Sequence, residues 1–154
     1  MTASLFPIFL LASVAAAATG VIFRPGAWYA GLRKPSFTPP NWAFPVAWTT
    51  IYLLSAIAAT RVAPLPGAGM ALALWSAQIA LNTLWTPVFF GARQMALAMV
   101  VMATLLVTVA AMVLSFWSLD WRAGLLLLPY LAWLGVATAL NWRVWRDNPD
   151  AVGR

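Results

Sequence analysis

Charged residues interrupt this sequence so rarely that they divide it into five uncharged stretches: 1–23, 35–60, 62–92, 94–119 and 123–142. Each stretch is mostly apolar, and none shows the every-second-residue alternation of a barrel strand. Ala, Leu and Met dominate the runs, and these residues favour helix. A hydrocarbon core about 30 Å thick needs roughly 20 helical residues. All five stretches reach that length. The pattern predicts an all-α membrane protein, a bundle of five transmembrane helices forming a single domain over residues 1–154.

The helices are expected at about 5–23, 43–61, 68–90, 94–117 and 123–145. Leu5 to Val14 followed by Ala15, Ala16 and Ala17 has the outline of a signal peptide. No basic residue precedes it, so it is read as a retained first helix. Ala12, Ala16 and Gly20 in that helix form a small-residue stripe suited to close packing. Loop 1, about 24–42, carries Pro25, Gly26, Gly31, Pro35, Pro39 and Pro40, which argue against regular helix. It is long for a connection within a bundle, and long loops often serve as lids or binding loops. Its Trp28, Tyr29, Phe37 and Trp42 suit either interfacial anchors or pocket walls. Ser118 to Arg122 is expected to form a turn, and the polar tail from Asp147 to Arg154 to fray.

Composition narrows the chemistry. Charged residues make up 8% of the chain, against about a quarter in a soluble domain. Cys and His are absent, which excludes disulfides, thiolate nucleophiles, Cys/His metal sites and His or Cys ligation of a haem iron. The acidic residues are Asp120, Asp147 and Asp150, all outside the apolar runs, so paired carboxylates in a cleft are not expected. No metal and no resident cofactor is expected. A net charge of +6 here reports topology and contact with anionic headgroups rather than nucleic acid. Loop 1, the third loop and the C-terminus hold Arg24, Arg33, Lys34, Arg93, Arg143, Arg146 and Arg154, whereas the other side holds Arg61 and Arg122. In an inner membrane this places loop 1 and the C-terminus in the cytoplasm. An outer membrane needs a separate argument.

Polar and aromatic residues recur at helical spacing on three helices. Trp75, Gln78, Asn82 and Trp85 share a face of the third, Tyr130, Trp133, Ala137 and Asn141 a face of the fifth, and Trp48, Tyr52, Ser55 and Ala59 a face of the second. Two readings fit this spacing. The amides act as interhelical glue with the indoles as packing, or the aromatic faces converge on a cavity for a flat apolar ligand. Behind the third helix, Ala73, Ala77 and Ala80 leave a small-residue face that suits either homodimerisation or internal packing.

Four segments carry a resemblance. The run from Trp28 and Tyr29 through Lys34, Pro35 and Phe37 to Pro39 and Pro40 resembles the first loop of the translocator protein family. That family includes the bacterial tryptophan-rich sensory proteins and the peripheral-type benzodiazepine receptor. The stretches Phe44–Tyr52, Gln78–Phe90 and Pro129–Asn141 are similar to its second, third and fifth helices, in order and at matching spacing. The resemblance implies a five-helix cavity closed by loop 1, and a membrane receptor or sensor for porphyrins, with sterols and isoquinoline or benzodiazepine compounds as further ligand classes. It implies ligand contacts at Tyr29, Pro39, Trp48, Tyr52, Asn82, Trp85, Trp133 and Ala137. It also links Trp48 and Trp133 to light-dependent porphyrin breakdown, which stands with tetrapyrrole or sterol transport as an alternative to sensing.

Two departures bear on the ligand. Phe37 stands where the family's loop usually has Trp, and Trp142 where the animal proteins' cholesterol motif has Tyr. Tetrapyrroles are therefore favoured over cholesterol. A porphyrin is expected against Trp48, Trp85 and Trp133, its propionates toward the loop 1 side. There Arg33 and Lys34 serve either as anion partners or as topology determinants.

Overall fold

The computed structural model describes residues 5–151; Arg154, counted above among the loop 1 cations, lies outside them together with residues 1–4, 152 and 153. Among the described residues the chain is all-helical. It comprises α1 (Phe6–Ile22), α2 (Ala27–Ala30), α3 (Ala43–Val62), α4 (Gly69–Thr86), a π-helical turn (Pro87–Gly91), α5 (Met95–Leu119) and α6 (Trp121–Asp147). Apart from the one-turn α2, the helices are neighbours in a closed cycle. α1 packs on α3 and α4, α3 on α6, α6 on α5, and α5 on α4.

Three helices, α3, α5 and α6, are long and apolar enough to cross a membrane, and α1 is apolar but shorter at 17 residues. The chain is a multi-pass membrane protein by this measure. Its outward faces are greasy: Leu114 is 73% exposed and Val107 69%, both on α5. The centre is close-packed. Val109, Met112, Phe116, Leu127 and Leu134 form one buried cluster with Ala58, Ala59 and Trp75. Small residues let backbones approach where α1 meets α3 and α4, because Ser13 and Ala16 are buried there. The stripe expected on α1 is only partly used, since Gly20 faces outward.

Three boundaries depart from the sequence reading. The expected third helix does not stay regular to residue 90. Pro87 has no N–H to continue the ladder, and the chain widens into a π turn closed by Ala92 N–H donating to the Pro87 carbonyl at 2.8 Å. Arg93 then takes the left-handed conformation, φ 55°, that reverses the chain into α5. The turn expected over Ser118 to Arg122 shrinks to Asp120 alone. Its backbone is extended, and its Oδ1 accepts from the Arg122 N–H at 3.0 Å, capping α6 two residues early. Loop 1 contains the short α2 despite its prolines and glycines.

The abrupt reversal presses α5 against α6. A Cβ added at Gly124 would lie 2.7 Å from Trp117 Cε3 and 3.0 Å from Trp117 Cα, and the backbone cannot yield as a side-chain tip would. Gly124→Ala should therefore cost about 1–3 kcal/mol through overpacking. Gly20→Ala, which meets nothing within 4 Å, should not destabilise. Thermal unfolding in detergent checks both; equal melting temperatures for the two variants would refute the close approach.

Candidate functional site

Polar side chains on three helices meet inside the ring. The Trp75 indole donates to Ser55 Oγ at 2.8 Å, joining α4 to α3. Tyr130 of α6 sits between two α4 amides. It receives a hydrogen bond from Asn82 Nδ2 at 2.6 Å and donates to Gln78 Oε1 at 2.6 Å. One turn beyond Asn82, the Trp85 indole donates to Asn141 Oδ1 at 2.9 Å, and Asn141 Nδ2 donates to the Met95 carbonyl at 3.2 Å. These bonds follow from helical spacing: Gln78, Asn82 and Trp85 recur on the inner face of α4. Two donors are left over. Gln78 Nε2 and Trp133 Nε1 are buried and have no partner among the described residues.

Aromatic rings surround these groups. Trp48 and Tyr52, one turn apart on α3, have centroids 5.6 Å apart, and Trp48 meets Tyr130 edge-on at 6.1 Å. Phe44, one turn before Trp48, meets Trp133 edge-on at 5.6 Å. Ala137 follows Trp133 by one turn and is half-buried against the same cluster. No charged side chain lies on these faces, so the interior offers stacking surfaces, amides, phenols and indole N–H groups, and no strong acid or base. Among the described residues no group of three His, Cys, Asp or Glu could hold a metal ion.

The π turn sets a second aromatic group beneath loop 1. Trp85 stacks on Phe89 at 4.9 Å and meets Phe90 edge-on at 5.7 Å. Trp28 and Tyr29 of α2 rest on the same two rings, at 5.8 Å from Phe89 and 5.4 Å from Phe90 respectively. Partial burial raises the Tyr29 phenol above its ordinary pKa of 10.0, so the ring stays neutral beneath Lys34, whose Nζ lies 4.4 Å from its centroid.

The tail fastens the loop from the other side. Asn148 Oδ1 accepts from the Arg33 N–H at 2.8 Å, and its Nδ2 donates to the Arg33 carbonyl at 2.9 Å. The Trp28 indole donates to the Ala151 carbonyl at 2.9 Å. The tail is thus docked through Ala151 rather than frayed.

Seven of the eight residues expected at a ligand site fall into these connected groups, with Trp85 packed against both clusters. Pro39 is half-buried in loop 1 and takes part in none of these hydrogen bonds or ring contacts. The eight omitted Phe44, Phe89 and Phe90, and also Gln78, Tyr130 and Asn141, which helical spacing had already put on the inner faces. Phe89 and Phe90 escaped because the π turn shifts their phase relative to an ideal helix. Nothing in the sequence marked Asn148.

The model of the TspO/MBR family matches residues 5–146. The chain belongs to the TspO/MBR family. It is similar to the protein CrtK of Rhodobacter capsulatus, 51% identical over 97% of this chain and 96% of the relative. It is similar to the tryptophan-rich sensory protein of Cereibacter sphaeroides, 50% identical over 94% and 92%. The human translocator protein is 42% identical over 79% of this chain and 75% of its own length. The resemblance read from four segments therefore extends along nearly the whole chain.

Two substitutions separate the roles of these contacts. Tyr130→Phe strands a buried donor on Asn82 and an acceptor on Gln78, and should lower stability by about 1–3 kcal/mol. Asn148→Ala removes the pair of bonds to Arg33 without touching the buried cluster. It should speed amide exchange in residues 27–34 several-fold while leaving the melting temperature within a few degrees. Unchanged exchange there would show that the tail does not hold the loop.

Proposed function

We propose that this protein is a membrane receptor of five crossings that binds porphyrins and similar flat apolar ligands between α3, α4 and α6, with loop 1 as the lid. The carrying observation is the pair of unpartnered donors, Trp133 Nε1 and Gln78 Nε2, beside the rings of Phe44, Trp48, Tyr52 and Tyr130. A buried donor left without an acceptor costs about 1–3 kcal/mol. A ligand that brings acceptors and a flat π surface relieves that cost and gains stacking. The sensory name carried by a relative of 50% identity supports a receptor role.

The crossing count rests on α1 and α4 in addition to the three clearly apolar helices. α4 turns its amides inward, where Gln78 and Asn82 are buried, and α1 is a shorter apolar helix. Positive charge then places loop 1 and the C-terminus in the cytoplasm in an inner membrane. The outward Ala73, Ala77 and Ala80 of α4 are exposed in the single chain and are proposed as the contact of a homodimer.

Titrating protoporphyrin while following Trp fluorescence tests the binding site. Wild type should saturate, and the Trp48→Ala, Trp133→Ala double variant should bind at least tenfold more weakly, from about 0.5–1.5 kcal/mol of stacking per ring plus lost area. Unchanged affinity would sink the reading. Illuminating the same complexes separates sensing from breakdown: loss of the Soret band only with intact protein marks degradation. The absence of Cys makes topology direct to probe. In whole cells, an impermeant thiol reagent should label Ser118→Cys and spare Ser36→Cys. Ala77→Phe should convert a detergent dimer to monomer.

A further inference from the structure

At the end of the ring away from loop 1, the two remaining cations come together. Arg61 closes α3 and Arg122 opens α6, and both line one open groove of about 770 Å³ with Thr60, Leu65, Trp117 and Trp121. Asp120 is fully engaged between them. Its Oδ2 accepts from Arg61 Nε at 2.7 Å and lies 2.6 Å from Nη2 as an ion pair, and its Oδ1 accepts from the Arg122 N–H at 3.0 Å. Burial alone would raise this carboxyl, but the Arg61 hydrogen bond and charge with the Arg122 and Ala123 amides outweigh it and hold the group ionised below its ordinary 3.8. The carboxylate thus fixes Arg61 by one edge and leaves Nη1 without a partner among the described residues. The Arg122 guanidinium lies over the Trp121 ring, 5.4 Å from its centroid, and pairs with no carboxylate among the described residues. Two guanidiniums against one carboxylate leave the groove with a net positive charge.

The apolar walls place this charge at a lipid boundary. Trp117 is 45% exposed and Trp121 54%, as indoles are at the headgroup level, and Leu65 and Leu119 are half-buried beside them. A small soluble anion would use the guanidiniums and leave these walls idle. An amphiphile uses both. We propose that this groove binds the phosphate headgroup of an anionic phospholipid, with Arg61 and Arg122 on the phosphate and Trp117, Trp121 and Leu65 along the glycerol and upper acyl chain. Guanidinium donors match phosphate oxygens in geometry as well as charge. The site is separate from the aromatic faces of α3, α4 and α6 and does not depend on their ligand.

Native mass spectrometry of the full delipidated chain, re-equilibrated with equal phosphatidylglycerol and phosphatidylcholine, tests the proposal. Wild type should retain one phosphatidylglycerol in preference to phosphatidylcholine. Arg122→Gln should reduce that preference about fivefold, the effect of one basic side chain near a charged surface. Arg122→Lys should keep most of it, and Arg24→Gln, at the opposite end, all of it. Ser118→Asp, which sets a negative charge in the groove, should lower it as Arg122→Gln does and covers the case in which that variant fails to fold. An equal preference in wild type, Arg122→Gln and Ser118→Asp would overturn the site. So would an equal loss in Arg24→Gln, which would mark diffuse charge. In a parallel competition, inorganic phosphate displacing phosphatidylglycerol at equal concentration would overturn the lipid assignment.

Discussion

A bilayer core offers no hydrogen-bond partner, so each polar side chain carried into it must find one inside the protein. That constraint organises the interior of this molecule. Gln78, Asn82, Trp85, Tyr130 and Asn141 pair with one another rather than with lipid, and their bonds fix α4 against α6 along about two turns of α4. Trp75 and Ser55 make the corresponding link between α4 and α3. The apolar helices α5 and α6 associate through close packing, which at Gly124 against Trp117 leaves no room for a Cβ. α4 is held by directed bonds, which specify its rotation as well as its position. Because α4 turns its polar side inward, its alanine side is left outward.

The same constraint gives the unpartnered donors their meaning. Trp133 and Gln78 carry the two buried donors without a partner, and they stand where the rings of α3 and α6 meet. Beyond them the π turn changes the phase of the chain and presents Phe89 and Phe90 to loop 1. Loop 1 is therefore seated on rings from one side and tied to the tail on the other by hydrogen bonds between side chains and backbone. The proline that opens the π turn, an asparagine after α6 and an aromatic pair in α2 together set how this loop lies over the ring.

What the sequence revealed, and what it concealed, follows the range of the interactions involved. Helix positions were legible because charges are excluded from lipid whatever the neighbouring residues are. The inner faces were legible because Trp48 and Tyr52, or Asn82 and Trp85, recur at the helical period. The π turn was not, since a proline at position 87 is compatible with a kink, a stop or a widened turn, and only the packing of Phe89 and Phe90 decides. The Asn148 clamp reaches Arg33 across 115 positions and has no local signature. Whether α1 and α4 cross was read from the length and apolar character of their uncharged stretches. In the structure, 17 residues of α1 and the inward polarity of α4 make their apolar outer faces the relevant quantity.

The central claim is that the Trp133 indole N–H is reserved for a ligand acceptor. The ¹⁵N-indole resonance of Trp133, assigned by its loss in Trp133→Phe, reports this directly. Without ligand it should lie upfield with the non-hydrogen-bonded indoles, and on adding protoporphyrin it should move as the donor engages, while the already bonded Trp75 indole stays in place. A Trp133 resonance that lies in the hydrogen-bonded range before ligand is added, or that stays fixed while porphyrin binds, would contradict the account.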